Sequence, residues 1–256
     1  MNTPVTDFDP APDFDGAWVS VADVDGWMSH DQARRLWDRA GEVADGAQIV
    51  EIGSFRGRSM IMLASSAPEG TEIVAIDPHI GTDRGPQEIV TTSELGQSDN
   101  EVFVANLTRA GVIDRVRHVR KLSADALGDV TGPIDLLYID GAHRYGPARA
   151  DMVDWGRRVT DGGTLLVHDS WSSIGVTFAL LRTYLFSSEW SYVGRSRSLA
   201  EYRRGPMSAA ARRRSQARQL RELGWFARNV LIKVLLTARL GRLTRLLGHD
   251  GETWPY

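Results

Sequence analysis

The sequence predicts a doubly wound α/β fold, built on a mainly parallel sheet of seven strands with an antiparallel hairpin at its end. Short apolar runs alternate with helical patterns from Asp45 onward, as in consecutive βαβ units. The runs are apolar almost throughout, which is typical of strands that are buried on both faces. Two of them end in carboxylates and imidazoles, so polar groups gather where parallel strands end.

The elements follow in a regular order along the chain. Residues 1–25 are acidic and contain proline, and we expect them to form a disordered or draped arm. Residues 27–44 have the pattern of an amphipathic helix, with a capping-box sequence at Ser29 and Gln32. Strands are predicted at residues 48–52, 72–76, 116–119, 135–139, 164–167, 190–195 and 198–202. Further helices are predicted at residues 58–65, 100–110, 148–157 and 175–186.

Composition limits the class of protein. The 256 residues are enough for one ordinary domain with a sizeable core. The chain contains no cysteine, which excludes disulfides and thiolate zinc sites. The amino terminus lacks the basic and apolar regions of a signal peptide, and no apolar run approaches the roughly 20 residues that span a bilayer. We therefore expect a cytoplasmic protein in which oxygen and nitrogen atoms hold any bound metal.

Charge is distributed unevenly along the chain. From Arg203 onward, 12 basic residues stand against 3 acidic ones, a net charge of +9, whereas the preceding part has 18 basic and 30 acidic residues, a net charge of −12. Residues 212–247 combine helical propensity, arginine and an apolar stripe. This basic amphipathic helix is interpreted as packing on the domain or on a second copy of the chain, or as a peripheral membrane contact. We expect no contact with nucleic acid, because the segment lacks interleaved base-stacking aromatics and a known reading motif.

The first strand leads into a glycine turn that could hold a ligand. Gly53 and Gly57 precede the next helix, but the third glycine of the dinucleotide fingerprint is absent. A tight turn that needs a positive φ explains these glycines equally well. Asp77 ends the next strand about 20 residues further on, the spacing at which doubly wound folds bind a ribose. Together these features favour an adenosine-type ligand.

The strongest sign of chemistry lies at the ends of two neighbouring strands. Asp140 and His143 follow the fourth predicted strand, and His168 and Asp169 follow the fifth. Because parallel strands end at the same edge of a sheet, we expect these four side chains in one crevice. Carboxylates and imidazoles together indicate a divalent cation and a general base. The polar residues 80–97 indicate a mobile loop beside this crevice that could act as a lid.

These residues, in this order, resemble one known family. The sequence is similar to the class I S-adenosylmethionine (SAM)-dependent methyltransferases, and among them to the metal-assisted sugar O-methyltransferases related to those that modify macrolide sugars. A methyltransferase of the mycobacterial methylmannose polysaccharide pathway would fit the size and the arginine bias of the chain. The motifs that carry the resemblance are Val-Glu-Ile-Gly-x-x-x-Gly-Arg-Ser at 50–59, Ile76-Asp77, Phe-x-x-Asn-Leu-x-x-Ala-Gly at 103–111, Ile-Asp-Leu-Leu-Tyr-Ile-Asp-Gly-x-His-x-Tyr at 134–145 with Asp151 and Trp155, Gly162-Gly163, and His168-Asp169.

The resemblance implies a Rossmann-like domain that binds SAM at the glycine turn. The residues implied to bind it are Glu51, Gly53 and Ser59 for the methionine part, Asp77 for the ribose, and Ser123, Ala124 and Asp125 for the adenine. The implied boundaries are an arm at residues 1–25, the methyltransferase domain at 26–204 and a basic helical extension at 205–256.

The resemblance also implies a divalent cation, expected to be Mg²⁺, at Asp140 and Asp169, with His143 as the general base. Such a cation lowers the pKa of a bound hydroxyl, and an imidazole with a reference pKa near 6.5 can accept the proton. His168 departs from the family pattern, in which an acidic residue often precedes the metal-binding aspartate. A histidine there either ligates the cation, which shifts the preference toward manganese, or only hydrogen-bonds a strand end or the substrate.

The predicted activity is methylation of a sugar hydroxyl of an oligosaccharide, polysaccharide or glycosylated natural product, by a homo-oligomer. Two other classes stay open. An NAD(P)-dependent oxidoreductase would share the fold, although the third glycine and a Tyr-x-x-x-Lys pair are absent. A non-enzymatic protein would use the basic carboxy-terminal helix to dock on a membrane or a partner.

Overall fold

Seven strands alternate with helices in a computed structural model that describes residues 13–81 and 93–249. The strands are β1 (Gln48–Ile52), β2 (Glu72–Ile76), β3 (Val116–Val119), β4 (Ile134–Ile139), β5 (Val159–Val167), β6 (Trp190–Ser196) and β7 (Leu199–Arg204). The helices are α1 (Phe14–Ser20), α2 (His30–Gly41), α3 (Arg58–Ser66), α4 (Ser93–Arg109), α5 (Tyr145–Asp154), α6 (Ile174–Tyr184) and α7 (Ala209–Thr237). Short 3₁₀ helices lie at Ile113–Arg115, Gly156–Arg158 and Gly241–Leu247.

The sheet is mainly parallel, which confirms the predicted fold class. Its strand order is β3-β2-β1-β4-β5-β7-β6. Strands β1 to β5 pair in parallel, whereas β7 lies antiparallel to both β5 and β6 and forms the predicted terminal hairpin. The order reverses between β1 and β4, the position at which doubly wound sheets open a ligand crevice.

Helices cover both faces of the sheet. Every residue of β1 is buried, because successive side chains of a strand point to opposite faces and both faces are packed. Val50 and Ile52 belong to the core on one face, together with Trp155. Ile49 belongs to the core on the other face, together with Met60. Among the described residues, no helix is both long enough and apolar enough to cross a membrane.

Helix α2 begins at the predicted capping box. The hydroxyl of Ser29 accepts from the Gln32 N–H at 3.4 Å, and Gln32 Oε1 accepts from the Ser29 N–H at 2.7 Å. The helix is shorter than predicted and ends at Gly41.

Part of the predicted arm is helical and belongs to the core. Asp13 caps α1 by accepting from the Gly16 N–H at 2.8 Å. Phe14 and Ala17, three residues apart on one face, are buried against α2 and α3. The disordered alternative is wrong for this segment, because Phe14 and Ala17 share one helical face that packs on the domain. Residues 1–12 lie outside the described part of the chain.

The last residues of the predicted mobile loop belong to helix α4. It begins at Ser93, so residues 93–97 are helical, while 82–92 lie outside the described residues. Gly96 allows α4 to approach the segment after β2, since a Cβ there would lie 2.2 Å from the carbonyl oxygen of His79.

The carboxy-terminal helix differs from the prediction in extent. Helix α7 ends at Thr237, and a separate 3₁₀ helix follows at Gly241–Leu247. Its buried residues are mostly polar, namely Ser215, Gln219, Asn229 and Ile232. Much of the apolar stripe therefore faces away from the domain.

Candidate active site

A cavity of about 570 Å³ opens at the carboxyl ends of β1, β2, β4 and β5. It lies at the predicted edge of the sheet, because parallel strands deliver their following residues to the same side. Of the eleven predicted site residues, the nine that line it are Gly53, Ser59, Asp77, Ser123, Ala124, Asp140, His143, His168 and Asp169. The other two, Glu51 and Asp125, lie outside the lining.

The two glycines of the first turn are needed for packing. Gly53 has a φ of 88°, and its N–H donates to the Ile76 carbonyl at 2.8 Å. A Cβ at Gly53 would lie 2.3 Å from the carbonyl oxygen of Asp140. Gly57 has a φ of 87°, and a Cβ there would lie 2.4 Å from Leu107 of α4. The turn therefore leaves bare backbone on the cavity wall while it brings the segments after β1 and β4 together.

Asp77 organises the same turn from the end of β2. Its Oδ2 accepts from the Phe55 N–H and its Oδ1 from the His79 N–H, both at 2.8 Å. The ring Nε2 of His79 lies 2.7 Å from the Phe55 carbonyl oxygen and closes the arrangement. Each carboxylate oxygen retains a lone pair, so Asp77 can still accept from the hydroxyls of a ribose.

Glu51 lies beneath the cavity and is completely buried. Its Oε1 accepts from the Ser59 hydroxyl at 2.5 Å, and Ser59 lines the cavity. Among the described residues, Oε2 has no hydrogen-bond partner. Burial raises the pKa of Glu51 to about 8, because a carboxylate loses its hydration there. A nearby cation would restore the ionised form.

Two of the three residues predicted to contact the adenine line the cavity, and the third does not. Ser123 and Ala124 line the cavity, whereas Asp125 is exposed, because the chain turns back at the Ala126 N–H bond to the Leu122 carbonyl. The Ser123 hydroxyl donates at 2.5 Å to Asp151, which also lines the cavity. Burial raises the pKa of Asp151 to about 6. Asp151, rather than Asp125, is therefore the carboxyl group at this end of the cavity.

His143 and Asp169 form an ion pair at the other end. His143 Nε2 lies 2.5 Å from Asp169 Oδ2. Burial lowers the pKa of His143, but Asp169 outweighs it and the net shift is upward. Burial raises the pKa of Asp169, but His143 and His168 outweigh this effect and hold the pKa of that carboxyl group at about 2. An imidazole that is oriented by a buried carboxylate is the usual arrangement of a general base.

His168 lies between the two carboxylates that were predicted as metal ligands. Its Nδ1 is 3.0 Å from Asp140 Oδ1 and 3.9 Å from Asp169 Oδ1. Burial lowers the pKa of His168, but the two carboxylates raise it to about 9. Tyr138 donates to the second oxygen of Asp140 at 2.9 Å. Gln32 Nε2, from α2, lies 3.3 Å from His168 Nε2, on the other side of the ring from Asp140.

This arrangement does not fit a divalent cation. Asp140 and Asp169 each accept from an imidazole nitrogen, and a nitrogen that donates to a carboxylate is not free to ligate a metal. Within residues 13–81 and 93–249, no group of three or more His, Asp or Glu side chains is arranged to hold a metal ion. The imidazole of His168 lies near Asp140 Oδ1 and Asp169 Oδ1, and this Asp169 oxygen has no hydrogen-bond partner among the described residues. We therefore derive no catalytic step through a metal.

Helix α7 holds the segment that follows Asp169. Asp169 and Trp171 both have positive φ values, 54° and 60°, which are unfavourable for side chains other than glycine. The fully buried Asn229 donates to the Trp171 carbonyl at 3.1 Å. Lys233 Nζ donates to the Ser172 carbonyl at 3.0 Å. The carboxy-terminal helix thus stabilises the backbone that orients the His143 partner.

Comparisons with known proteins agree with this geometry. Residues 50–170 match the family of the methyltransferase domain. The match covers 121 of the 256 residues, and it shows what these residues are similar to. The catechol O-methyltransferase of Mycobacterium tuberculosis is 32% identical over 144 residues, which cover 56% of this chain and 56% of that protein. The chain thus aligns with about half the length of this curated relative.

Solved methyltransferase-like structures share the fold. Cofactor-bound Rv0187 from MTB has 21% identity and a TM-score of 0.52, with 74% of this chain and 87% of that chain covered. The O-methyltransferase TomG from Streptomyces achromogenes is involved in tomaymycin synthesis and was solved in complex with SAM. It has 19% identity and a TM-score of 0.52, with 77% of this chain and 90% of that chain covered. The predicted fold is confirmed, and residues 50–170 resemble the predicted methyltransferase family, while the sugar-specific subgroup stays a prediction.

Several residues of the site were not found from the sequence. Gln32 was identified only as a helix cap, although its amide nitrogen reaches His168. Trp27 and Phe55 stack at the cavity wall, with ring centroids 5.7 Å apart and planes 29° apart. Asn229 lies in the basic carboxy-terminal helix, for which no contact near the site was predicted. No local pattern marks these residues, because their partners are far away in the sequence.

Proposed function

We propose that the protein is a SAM-dependent O-methyltransferase that acts on a hydroxyl group of a carbohydrate or of a glycosylated natural product. The observation that carries the proposal is the pair His143–Asp169, which opens on a cavity formed by a methyltransferase domain. SAM supplies a methyl group on a sulfonium, which leaves as a neutral thioether when an oxygen attacks the methyl carbon.

The cavity suits this cofactor in its own residues. The buried carboxyl group of Glu51 lies beneath the cavity, where its charge can stabilise the cationic methionine part, and the bare backbone at Gly53 permits close approach. Asp77 can accept from the ribose hydroxyls. Ser123, Ala124 and Asp151 line the end that is left for the adenine. The predicted cofactor set is thus supported at six positions and extended by Asp151, with Asp125 outside it.

His143 carries the chemical step. It takes the proton of the acceptor hydroxyl as the new O–C bond forms, and the buried carboxylate of Asp169 stabilises the resulting imidazolium. The side chain of His143 is 29% exposed in the cavity wall, so a bound hydroxyl can reach it. The predicted Mg²⁺ at Asp140, Asp169 and His168 stays a prediction, and this step does not require it.

The acceptor class is supported by the polar end of the cavity. Asp140, His143 and Arg144 lie together there and suit an acceptor with several hydroxyls. The stacked rings of Trp27 and Phe55 can cover a sugar face or a phenol. A phenolic acceptor is the second candidate, because the relative from Mycobacterium tuberculosis carries the name of a catechol O-methyltransferase.

The test is turnover of SAM with a panel of acceptors. Oligosaccharides, nucleotide sugars and catechols are each incubated with SAM, and the thioether product and methylated acceptor are measured by mass spectrometry. Methylation of a sugar hydroxyl supports the proposal, and exclusive methylation of catechols supports the second candidate. Titration with NADH serves as a control, since binding of NADH but not of SAM would overturn both. The predicted homo-oligomer and cytoplasmic location stay predictions, and light scattering of the purified protein tests the first.

A further inference from the structure

Helix α7 carries an apolar stripe on the side that faces away from the domain. Leu220, Leu223, Ala227, Leu231 and Val234 follow one another at spacings of three or four residues, so they share one face of the helix. All five are exposed. The helix fully buries mainly polar residues, whereas its stripe stays in contact with solvent, from 36% of Leu223 to 57% of Val234.

The 3₁₀ helix after α7 carries exposed apolar residues of its own. Leu240, Leu243 and Leu246 recur every third residue, and three residues make one turn of a 3₁₀ helix, so they lie along one edge. All three are exposed, and Leu246 is 85% accessible. Arg239, Arg242 and Arg245 recur with the same period. We call the eight apolar residues of both elements the outer stripe.

The segment that carries the outer stripe is strongly basic and contains almost no acidic residues. Residues 209–249 contain ten Lys and Arg residues and a single acidic residue, Glu222. The carboxylate of Glu222 is already held by Arg195 at 2.7 Å and by the Tyr192 hydroxyl at 2.9 Å. Exposed arginines, among them Arg212 and Arg213, remain to attract negative charge.

We propose that the outer stripe and its arginines form a docking surface for membranes that contain anionic phospholipids. Exposed leucines beside arginines suit the boundary between acyl chains and anionic head groups. A second copy of the chain would bring the same basic surface against this one, and like charges would oppose that contact. The helix is not apolar enough to span a bilayer, so the contact is peripheral.

Docking would place the cavity near the lipid head groups. The same helix that carries the stripe contacts Trp171 and Ser172, just after Asp169. An acceptor attached to a lipid would then meet the cavity at the membrane surface. The docking itself does not depend on methyl transfer, so its test and that of the proposed function fail independently.

The experiment is flotation of the full-length protein with two kinds of vesicle. One kind is phosphatidylcholine alone, and the other is an equal mixture of phosphatidylcholine and phosphatidylglycerol. We expect binding to the mixed vesicles that weakens as salt is added, and little binding to phosphatidylcholine. Arg212→Gln with Arg213→Gln should lower the partition coefficient roughly fivefold for each arginine removed. Leu231→Glu should lower it roughly tenfold or more.

Val19→Glu is the matched control, because Val19 is an exposed apolar residue of α1, outside the outer stripe. It should bind vesicles like the unchanged protein, and circular dichroism confirms that each variant is folded. Equal binding to both vesicle types, or equal loss in Val19→Glu and Leu231→Glu, would overturn the proposal. The proposal would also be overturned if the protein did not bind vesicles and formed a dimer that Leu231→Glu dissociates, since the stripe would then contact a second copy.

Discussion

The buried carboxyl of Glu51 should make SAM binding depend on pH. Burial raises the pKa of this group from 4.5 to about 8, so most molecules without cofactor carry it protonated at neutral pH. At about 1.4 kcal/mol per pKa unit, ionising Glu51 in the folded protein costs on the order of 5 kcal/mol more than in water. A cationic ligand beside Oε2 offsets this cost and favours the carboxylate.

SAM brings an ammonium and a sulfonium, so its binding should release close to one proton below the pKa of Glu51. The apparent affinity should then rise about tenfold per pH unit and roughly a hundredfold between about pH 6 and pH 8, above which it levels off. Isothermal titration calorimetry in buffers with different ionisation enthalpies measures the affinity and the number of released protons together.

Glu51→Gln is the matched variant, because it keeps the shape of the protonated side chain and cannot ionise. It should bind SAM more weakly at high pH and with little dependence on pH. Without cofactor, the raised pKa stabilises the folded wild-type protein fully below pH 4.5, and this contribution is lost as the pH rises through about 8. Urea unfolding should therefore show Glu51→Gln to be the more stable protein above that pH. A wild-type affinity that is flat with pH, or an equal slope in the variant, would refute the reasoning.

Four further predictions concern the catalytic pair and its supports. The ionised Asp169 raises the pKa of His143, so turnover should increase with pH along a limb above 6.5. Asp169→Asn should move that limb to lower pH and lower kcat by roughly 10²- to 10⁴-fold. An unmoved limb in the pH–rate profile would show that another group titrates. Asn229→Ala should lower kcat more than it changes KM, because it releases the backbone after Asp169. Gln216→Ala on the same helix should match wild type. Equal kinetics of the two variants would show that Asn229 does not support the site. EDTA should leave turnover unchanged if the ion pairs persist during the reaction, and its inhibition with recovery on adding Mg²⁺ would restore the predicted cation. Gly53→Ala should lose several kcal/mol of stability by thermal denaturation, since its Cβ would meet backbone at 2.3 Å, and a variant as stable as wild type would show that the turn can shift.

The sequence by itself determined the fold and the edge at which the site lies. Apolar runs of strand length between helical patterns can be buried only in a parallel sheet covered on both faces, and parallel strands end together. Asp77, Asp140 and Asp169 each follow such a run, so their convergence was predictable without long-range information. The capping box at Ser29 was equally local, because its two hydrogen bonds join residues three apart.

The tertiary structure alone decided how the converging groups pair and which way the last helix faces. His168 pairs with Asp140 and also contacts Gln32, which is 136 residues away in the sequence, and no local spacing encodes these contacts. The spacing of the leucines in α7 shows that they share a face, but not whether that face turns inward. Asn229 donates to Trp171, 58 residues distant, and this contact turns the polar side of the helix toward the domain and the apolar side outward. Periodicity defines faces, whereas the side-chain partners that a face meets exist only after the chain has folded.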